Sequence, residues 1–399
     1  MGKVYKPLYQ RGLPLAERFG RYIVGAGGWR GGVLPDKVCL LGIFSRRNFT
    51  SYLSFPTVRH REKMARFEPN HSSLDYNTLK DAVVVLSGGA SGIGAAIVRL
   101  LHGHGAKIVF GDLDTAKAEA VVASTSPSSV HFVMTDVTSY TDIVDLFRFA
   151  LSKYGRVDHA IANAGLIEQP GWFDPRLGIE GVAHKPTTKT SEVNFNGVLY
   201  FANIACTYLA HKNQAAEKNS KSLTLLSSVA GFKETPGLFV YQGSKHAVMG
   251  LLRALRLYVP EAYPGIRINA VLPSMTLTGM VEGIKDGWMS ADLPVNKPED
   301  VATALVGLCV AGPGTDPIWY DEEEAEGVKK MSSAGGMDWD HPLETGVNGR
   351  GIFIMGGNCY DIEEGLDRTE ELWLGKKVSG WLQKGQQNLG NGTHWLKEK

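Results

Sequence analysis

The stretch that most limits what this chain can become is Ser87-Gly88-Gly89-Ala90-Ser91-Gly92-Ile93-Gly94, set between two apolar patterns of different period. Before it, Ala82 to Leu86 is an unbroken apolar run, as in a strand buried on both faces. After it, Ala95, Ala96, Ile97, Leu100 and Leu101 recur at helical spacing. Gly88, Gly92 and Gly94 have no Cβ, so the backbone can turn sharply and admit a pyrophosphate to the helix N-terminus, where unpaired N–H groups favour negative charge. Glycine is abundant, 47 of 399 residues, so a glycine cluster alone is also compatible with an ordinary strand-to-helix turn. Asp112, 18 residues beyond Gly94, narrows the choice. It ends a second strand pattern, Lys107 to Asp112, near the spacing of about 20 residues at which dinucleotide folds set a carboxylate on the adenosine ribose.

From Leu79 onward strands and helices alternate, which predicts an α/β fold with a doubly wound parallel sheet of the Rossmann type. The strands are predicted at 82–86, 107–110, 130–135, 157–161, 223–227 and 267–272, with a seventh at 351–355. Helices are predicted at 92–104, 115–123, 140–154, 190–211, 240–259 and 298–310. Right-handed crossovers then bring the loops that follow the strands to one edge as a continuous cleft.

The sequence divides into a basic N-terminal extension (1–75), a catalytic domain (76–362) and a tail (363–399). The first 65 residues are rich in Arg, Lys, Gly and aromatics and lack a sustained period. They are expected to be disordered, the alternatives being an organelle transit peptide or sequence upstream of the mature protein. Insertions at 166–189 and 311–348 interrupt the alternation, as lids or substrate walls do, and as surface loops also do. The tail, with Trp373, Trp381 and Trp395, shows no clear period.

A net charge of +1 gives no global field toward nucleic acid or a membrane surface. No apolar run approaches the ~18 residues of a membrane span. Cys39, Cys206, Cys309 and Cys359 form neither a redox pair nor a zinc-ligand set, and no metal is expected. The expectation is a cytoplasmic protein, with mitochondrial targeting by the basic N-terminus as the alternative.

The loop after the fifth strand contains Ser228, and Tyr241 follows 13 residues later, with Lys245 four residues beyond on the same helix face. A phenol of ordinary pKa is a poor base near neutrality. Lowering it by about 3 units needs about 4 kcal/mol of differential stabilisation, which a partly desolvated ammonium beside it can supply. Alone, the Tyr/Lys pair would more often be an ordinary surface pair on a helix.

Together these motifs resemble the short-chain dehydrogenase/reductase family over roughly residues 79–360. Ser87 to Gly94 resembles its cofactor loop and Asp112 its ribose carboxylate. Asp136-Val137 resembles the adenine contact, and Ala162-Asn163-Ala164-Gly165 the element after the fourth strand. Asn194 resembles the catalytic Asn, Ser228, Tyr241 and Lys245 the catalytic trio, and Pro273 to Thr278 the nicotinamide-side segment. The sequence departs from the family pattern at Ser87, where Thr is usual, at Ala162, where Asn is common, and at Ser274, where Gly is usual. The resemblance extends to the branch of hydroxyprostaglandin dehydrogenase and fungal secondary-metabolite dehydrogenases.

The resemblance implies an NAD-dependent oxidoreductase that interconverts a secondary alcohol and a ketone on a small lipophilic metabolite. Tyr241 would be the general acid/base, Lys245 its cation and a ribose ligand, Ser228 the holder of the substrate oxygen, and Asn194 the anchor of a relay water. Cofactor contacts are implied at Ser87, Gly88, Ser91, Gly92, Ile93, Gly94, Asp112, Asp136, Val137, Asn163, Ala164, Gly165, Thr276 and Thr278, besides Tyr241 and Lys245. The carboxylate of Asp112 would repel the 2′-phosphate of NADP, so NAD is expected over NADP. Homodimers or homotetramers are implied, with no nucleic-acid partner. The competing reading is a regulator that senses NAD(H) without turning it over.

Overall fold

The computed structural model of the chain describes residues 65–211, 221–319 and 346–390. The expectations for residues 1–64, most of the second insertion and the end of the tail lie outside these.

Seven parallel strands form the body of one sheet: β2 (Val83–Ser87), β3 (Lys107–Asp112), β4 (Val130–Met134), β5 (His159–Ala162), β6 (Lys221–Leu226), β7 (Ile266–Pro273) and β9 (Gly351–Met355). Their spatial order is β4-β3-β2-β5-β6-β7-β9. Every residue of β2 is buried, which explains its unbroken apolar run. Its side chains alternate between two cores. Val84 and Leu86 join Ile97, Leu101 and Leu305 on one face, while Val83 and Val85 join Phe147, Phe201 and Leu252 on the other.

Those cores are closed by two layers of helices. Helices α1 (Gly92–Gly103), α2 (Thr115–Ala123) and α9 (Pro298–Val310) contribute Ile97, Val121 and Leu305 to the first. Helices α3 (Tyr140–Tyr154), α6 (Gly197–Ala210) and α7 (Phe239–Ala262) contribute Phe147, Phe201 and Leu252 to the second. Each such side chain, fully withdrawn from water, is worth about 1.5 to 3 kcal/mol before the entropy of ordering it. The chain reverses direction across the sheet at β2, which pairs with β3 on one side and β5 on the other. The crevice of a doubly wound sheet lies at such a switch point, between the loops that leave the two diverging strands.

The sheet extends beyond the seven strands that the sequence predicts. An antiparallel margin of β10 (Asn358–Asp361), β1 (Arg66–Phe67) and β8 (Ile318–Trp319) continues it, giving ten strands. Residues 65–75, assigned by sequence to the extension, therefore belong to the folded body, with Phe67 and Leu74 buried in the core. Gly356 and Gly357, both at positive φ, make the two-residue turn between β9 and β10.

Two helices depart from expectation. The helix predicted at 190–211 opens with a short turn, Lys189–Ser191, runs through a π-helical stretch, Glu192–Asn196, and becomes α6 only at Gly197. Helix α7 runs past Pro260, whose missing N–H frees the carbonyl of Arg256; Asn348 Nδ2 takes that carbonyl at 3.1 Å. The tail is also structured, as α10 (Ile362–Leu374) and α11 (Lys376–Leu389). Buried Glu363 ties α10 to α7 by accepting from Arg253 at 2.8 and 2.9 Å and from Arg256 at 3.2 Å.

Candidate active site

The glycine turn after β2 is held by its neighbours and leaves the start of α1 open. Gly88 and Gly89 both donate to the Gly111 carbonyl, at 2.7 and 3.2 Å. Gly88 and Gly92 lie at φ +72° and +50°, where a side chain would be strained. A Cβ on Gly94 would stand 1.9 Å from the Gly88 carbonyl oxygen. Ser91 starts α1 without a side-chain cap, no acidic residue lies in the first turn, and half-buried Ile93 packs on the core beneath it. The unpaired N–H groups there fit a pyrophosphate.

Asp112 lies against the same turn. Its carboxylate accepts from Ala90 N at 2.9 Å, Leu113 N at 2.8 Å and Asp114 N at 3.0 Å. The main chain thus holds an acidic group beside the glycine loop, as a ribose site requires. With the glycine cradle, these features fit a dinucleotide.

Other expected cofactor residues serve the frame. Ser87 Oγ accepts from Asn163 N and Ala164 N at 3.1 and 3.2 Å, pinning the loop after β5 to the end of β2. Asn163 Nδ2 donates to Gly88 O at 2.7 Å, and its buried Oδ1 has no partner among the described residues. Asp136 is engaged in its own turn, accepting from Thr138 N and Oγ1 at 2.9 and 2.8 Å, while Val137 packs in the core. Buried Thr276 donates to Ser274 O at 2.9 Å. Thr278 lies closer to the cleft, its methyl 3.1 Å from where a Gly92 Cβ would stand. Sequence reasoning missed Asn296, which bridges Ser274 Oγ at 3.2 Å and Ile354 O at 3.0 Å and so ties the segment after β7 to β9.

The structure brings the four residues of the expected proton relay together. Tyr241 and Lys245 lie on the buried face of α7, and Ser228 follows β6. The nearby Ser228 hydroxyl favours the phenolate, but burial is the larger effect and raises the phenol's pKa above the usual value. The ammonium lies 5.6 Å from the centre of the Tyr241 ring and donates to Leu226 O at 3.0 Å. Burial brings Lys245 down to about 8. Against the sequence expectation of a tyrosine made acidic by its lysine, burial moves the phenol in the opposite direction, above its usual value.

Asn194 is fully buried within the π-helical stretch. Its Oδ1 accepts from Leu166 N at 2.7 Å, and its Nδ2 donates to Leu166 O at 2.8 Å and Ser244 Oγ at 3.2 Å. The side-chain amide is committed to the frame and knots the two segments together. A Cβ on Gly165 would lie 3.4 Å from Asn194 Oδ1 and 3.6 Å from Lys245 Nζ, so the loop after β5 passes directly over both.

Glu168, in the first insertion, was not foreseen; nothing in its sequence surroundings marks it. Its Oε2 accepts from Tyr241 N at 2.7 Å. The insertion closes on itself through Trp172 Nε1, which donates to Thr187 O at 2.9 Å, and Phe173 packs on Phe239 with ring centres 4.8 Å apart. The resulting open groove, about 580 Å³, is lined by Phe173, Leu238, Phe239, Gly243 and His246. It lies on the outer side of α7, away from the Tyr241 phenol.

Comparison with known proteins agrees with this arrangement. Residues 82–287 match the family model for short chain dehydrogenase. The short-chain dehydrogenase/reductase prx4 of Penicillium roqueforti is 30% identical over 313 residues, covering 78% of this chain and 86% of its own. The short-chain dehydrogenase/reductase ascJ of Acremonium egyptiacum is 36% identical over 207 residues, or 52% of this chain and 67% of that protein. Among solved structures, a short-chain dehydrogenase/reductase from Brucella melitensis, described as a glucose/ribitol dehydrogenase, shares the fold with a TM-score of 0.52 at 24% identity, covering 70% of this chain and 96% of its own. With the family model matched over more than half of the chain, the chain belongs to the short-chain dehydrogenase/reductase family and is an oxidoreductase of the kind that acts on CH–OH groups or ketones.

Proposed function

We propose that this protein is an NAD-dependent dehydrogenase/reductase that interconverts a secondary alcohol and a ketone on a small lipophilic metabolite, with Tyr241 as general acid/base. The observation that carries the reading is the shared burial of Ser228, Tyr241 and Lys245, with the Lys245 ammonium 5.6 Å from the centre of the Tyr241 ring. When bound, the nicotinamide supplies or accepts the hydride at the substrate carbon. In reduction, Tyr241 gives its proton to the carbonyl oxygen as the alcohol forms; in oxidation it takes that proton back. Ser228 holds the oxygen in place. Lys245 spends one N–H on Leu226 O and keeps its other donors for a ribose hydroxyl. A phenol that burial keeps protonated is suited to the reducing direction.

Asp112 supports NAD over NADP. A 2′-phosphate carries about −1.5 to −2 charges. Set within about 4 Å of that carboxylate it would lose several kcal/mol even at an effective dielectric near 20. Neither Ser91 nor Leu113 offers a compensating cation. A lipophilic substrate is supported by exposed apolar side chains on both segments that border the sheet edge: Phe173, Ile179 and Val182 after β5, and Met280, Ile284 and Met289 after β7. Self-association into dimers or tetramers through the outer faces of α6 and α7 completes the reading.

The test is Tyr241→Phe, assayed with NADH and NADPH over a panel of ketones and alcohols. We expect turnover to fall by about 10²- to 10⁴-fold with NADH binding retained, and the wild type to prefer NADH. A wild type that binds NADH but turns over nothing on a broad panel would leave the sensor reading in its place.

A further inference from the structure

Tyr241 is the third residue of α7, and a helix leaves its first backbone N–H groups without internal acceptors. Such groups are ordinarily met by a Ser, Thr, Asp or Asn at the N-cap. Here the N-cap is Leu238, no side-chain cap is made, and the first turn has no acidic residue. The acceptor comes from 73 residues upstream, as the Oε2 of Glu168.

The segment that carries Glu168 is anchored at both sides. Leu166 exchanges two hydrogen bonds with the Asn194 amide, and Ile167 O accepts from Thr190 Oγ1 at 3.1 Å. Asn194 Nδ2 also reaches Ser244 Oγ, which donates at 2.6 Å to the carbonyl of Tyr241. The contacts close a ring: Asn194 to Leu166, along the chain to Glu168, to the N–H of Tyr241, and from the C=O of Tyr241 through Ser244 to Asn194. Both backbone polar groups of Tyr241 are held by it. Among the described residues, Glu168 is the acceptor that joins the insertion to the N–H of Tyr241. Its other oxygen, Oε1, is sealed from solvent and has no hydrogen-bond partner among the described residues. An unmet carboxylate oxygen costs stability, and a local N-cap would have served the helix without that cost.

We propose that Glu168 is a positioning residue for the reaction, fixing the backbone of Tyr241 so that the phenol faces Ser228, and that this makes the first insertion part of the catalytic frame. The inference rests on Tyr241 being the proton donor and acceptor. A displacement of about 1 Å at a reacting group can cost about 10²-fold in rate, so a lost anchor on the backbone of the residue that carries the phenol is expected to appear in turnover.

Three variants of the full chain test it: Glu168→Ala, which removes the acceptor; Glu168→Gln, which keeps an oxygen at the same reach without the charge; and Glu168→Asp, which keeps the charge but withdraws it by one methylene. For each, kcat and KM for a ketone, NADH affinity by fluorescence, and hydrogen exchange of the peptide containing Tyr241 are measured. The expected result is a fall of about 10- to 100-fold in kcat for Glu168→Ala and Glu168→Asp, KM and NADH affinity within about twofold, faster exchange at Tyr241, and recovery of most turnover in Glu168→Gln. Turnover and exchange unchanged in Glu168→Ala would overturn the proposal. So would a loss shared equally by Glu168→Gln, which would make charge the cause, or a loss matched by weaker NADH binding. Should the wild type turn over no substrate, the dehydrogenase reading falls, and exchange at Tyr241 alone then decides whether Glu168 anchors it.

Discussion

Lys245 is buried within reach of Tyr241 and the end of β6, and its charge is the most easily lost of the cations in the site. Desolvation brings its pKa down to about 8, whereas that of Tyr241 is pushed up by the same burial. As pH rises through about 8 the ammonium therefore discharges while the phenol still holds its proton. We expect kcat for ketone reduction to be level below that pH and to fall above it, and Lys245→Arg, charged throughout, to lose that alkaline limb even if it is slower; a pH profile at saturating substrate checks this. That Tyr241, Lys245 and Ser228 would lie together was legible in sequence, because the chemistry expected of them requires particular residue types at fixed spacing. The direction of the tyrosine's pKa was not, because it depends on how much water the fold excludes around residue 241. Glu168 and Asn296 were hidden for a related reason: each acts on a segment 73 or 58 residues away, and no local pattern reports such a pairing.

Among the elements, the turn between β2 and α1 combines the tightest packing with the clearest sequence signal. Replacing Gly94 by Ala would bring a methyl 1.9 Å from the Gly88 carbonyl oxygen, so the turn must open. We expect a loss of about 1 to 3 kcal/mol in stability, together with NADH affinity weakened at least ~10-fold, read by thermal denaturation and fluorescence titration. Gly103→Ala, at the far end of the same helix with nothing near its added Cβ, should leave cofactor affinity unchanged. Strands such as β2, buried on both faces, announce themselves by unbroken apolar runs. The two-residue β1 has no room for a period, and β10 carries Asn358 and Asp361 in four residues. Its hairpin leaves a trace in Gly356-Gly357, a dipeptide suited to the turn between antiparallel strands. The π-helical stretch at Glu192–Asn196 falls in the same class, since hydrophobic spacing does not distinguish it from the α-helix that continues it.

For the whole molecule, the first of the C-terminal helices, α10, is fastened to α7 by ion pairs. Glu363, almost fully buried, accepts from Arg253 and Arg256 of α7. Arg350 pairs with Asp361 and Glu364, and Glu364 also accepts from Arg368 at 2.6 Å. Glu363→Gln removes the charge that two guanidinium groups share, and we expect about 3 kcal/mol of lost stability, measured as a lower midpoint in urea. The tail had no readable period because its buried positions are charged: Glu363, Glu364 and Arg368 face inward, where a helix that packs through hydrophobic contacts would present leucines.

The antiparallel margin has a practical corollary for anyone shortening this chain. A protein cut to residues 82–287, the segment that the family model matches, would lack β9, leaving a row of amide and carbonyl groups on β7 bare to solvent and to other copies. A shortened version meant to remain monodisperse must start before Ala65 and continue past Asp361, because β1, from the beginning of the folded body, is stitched between β8 and β10.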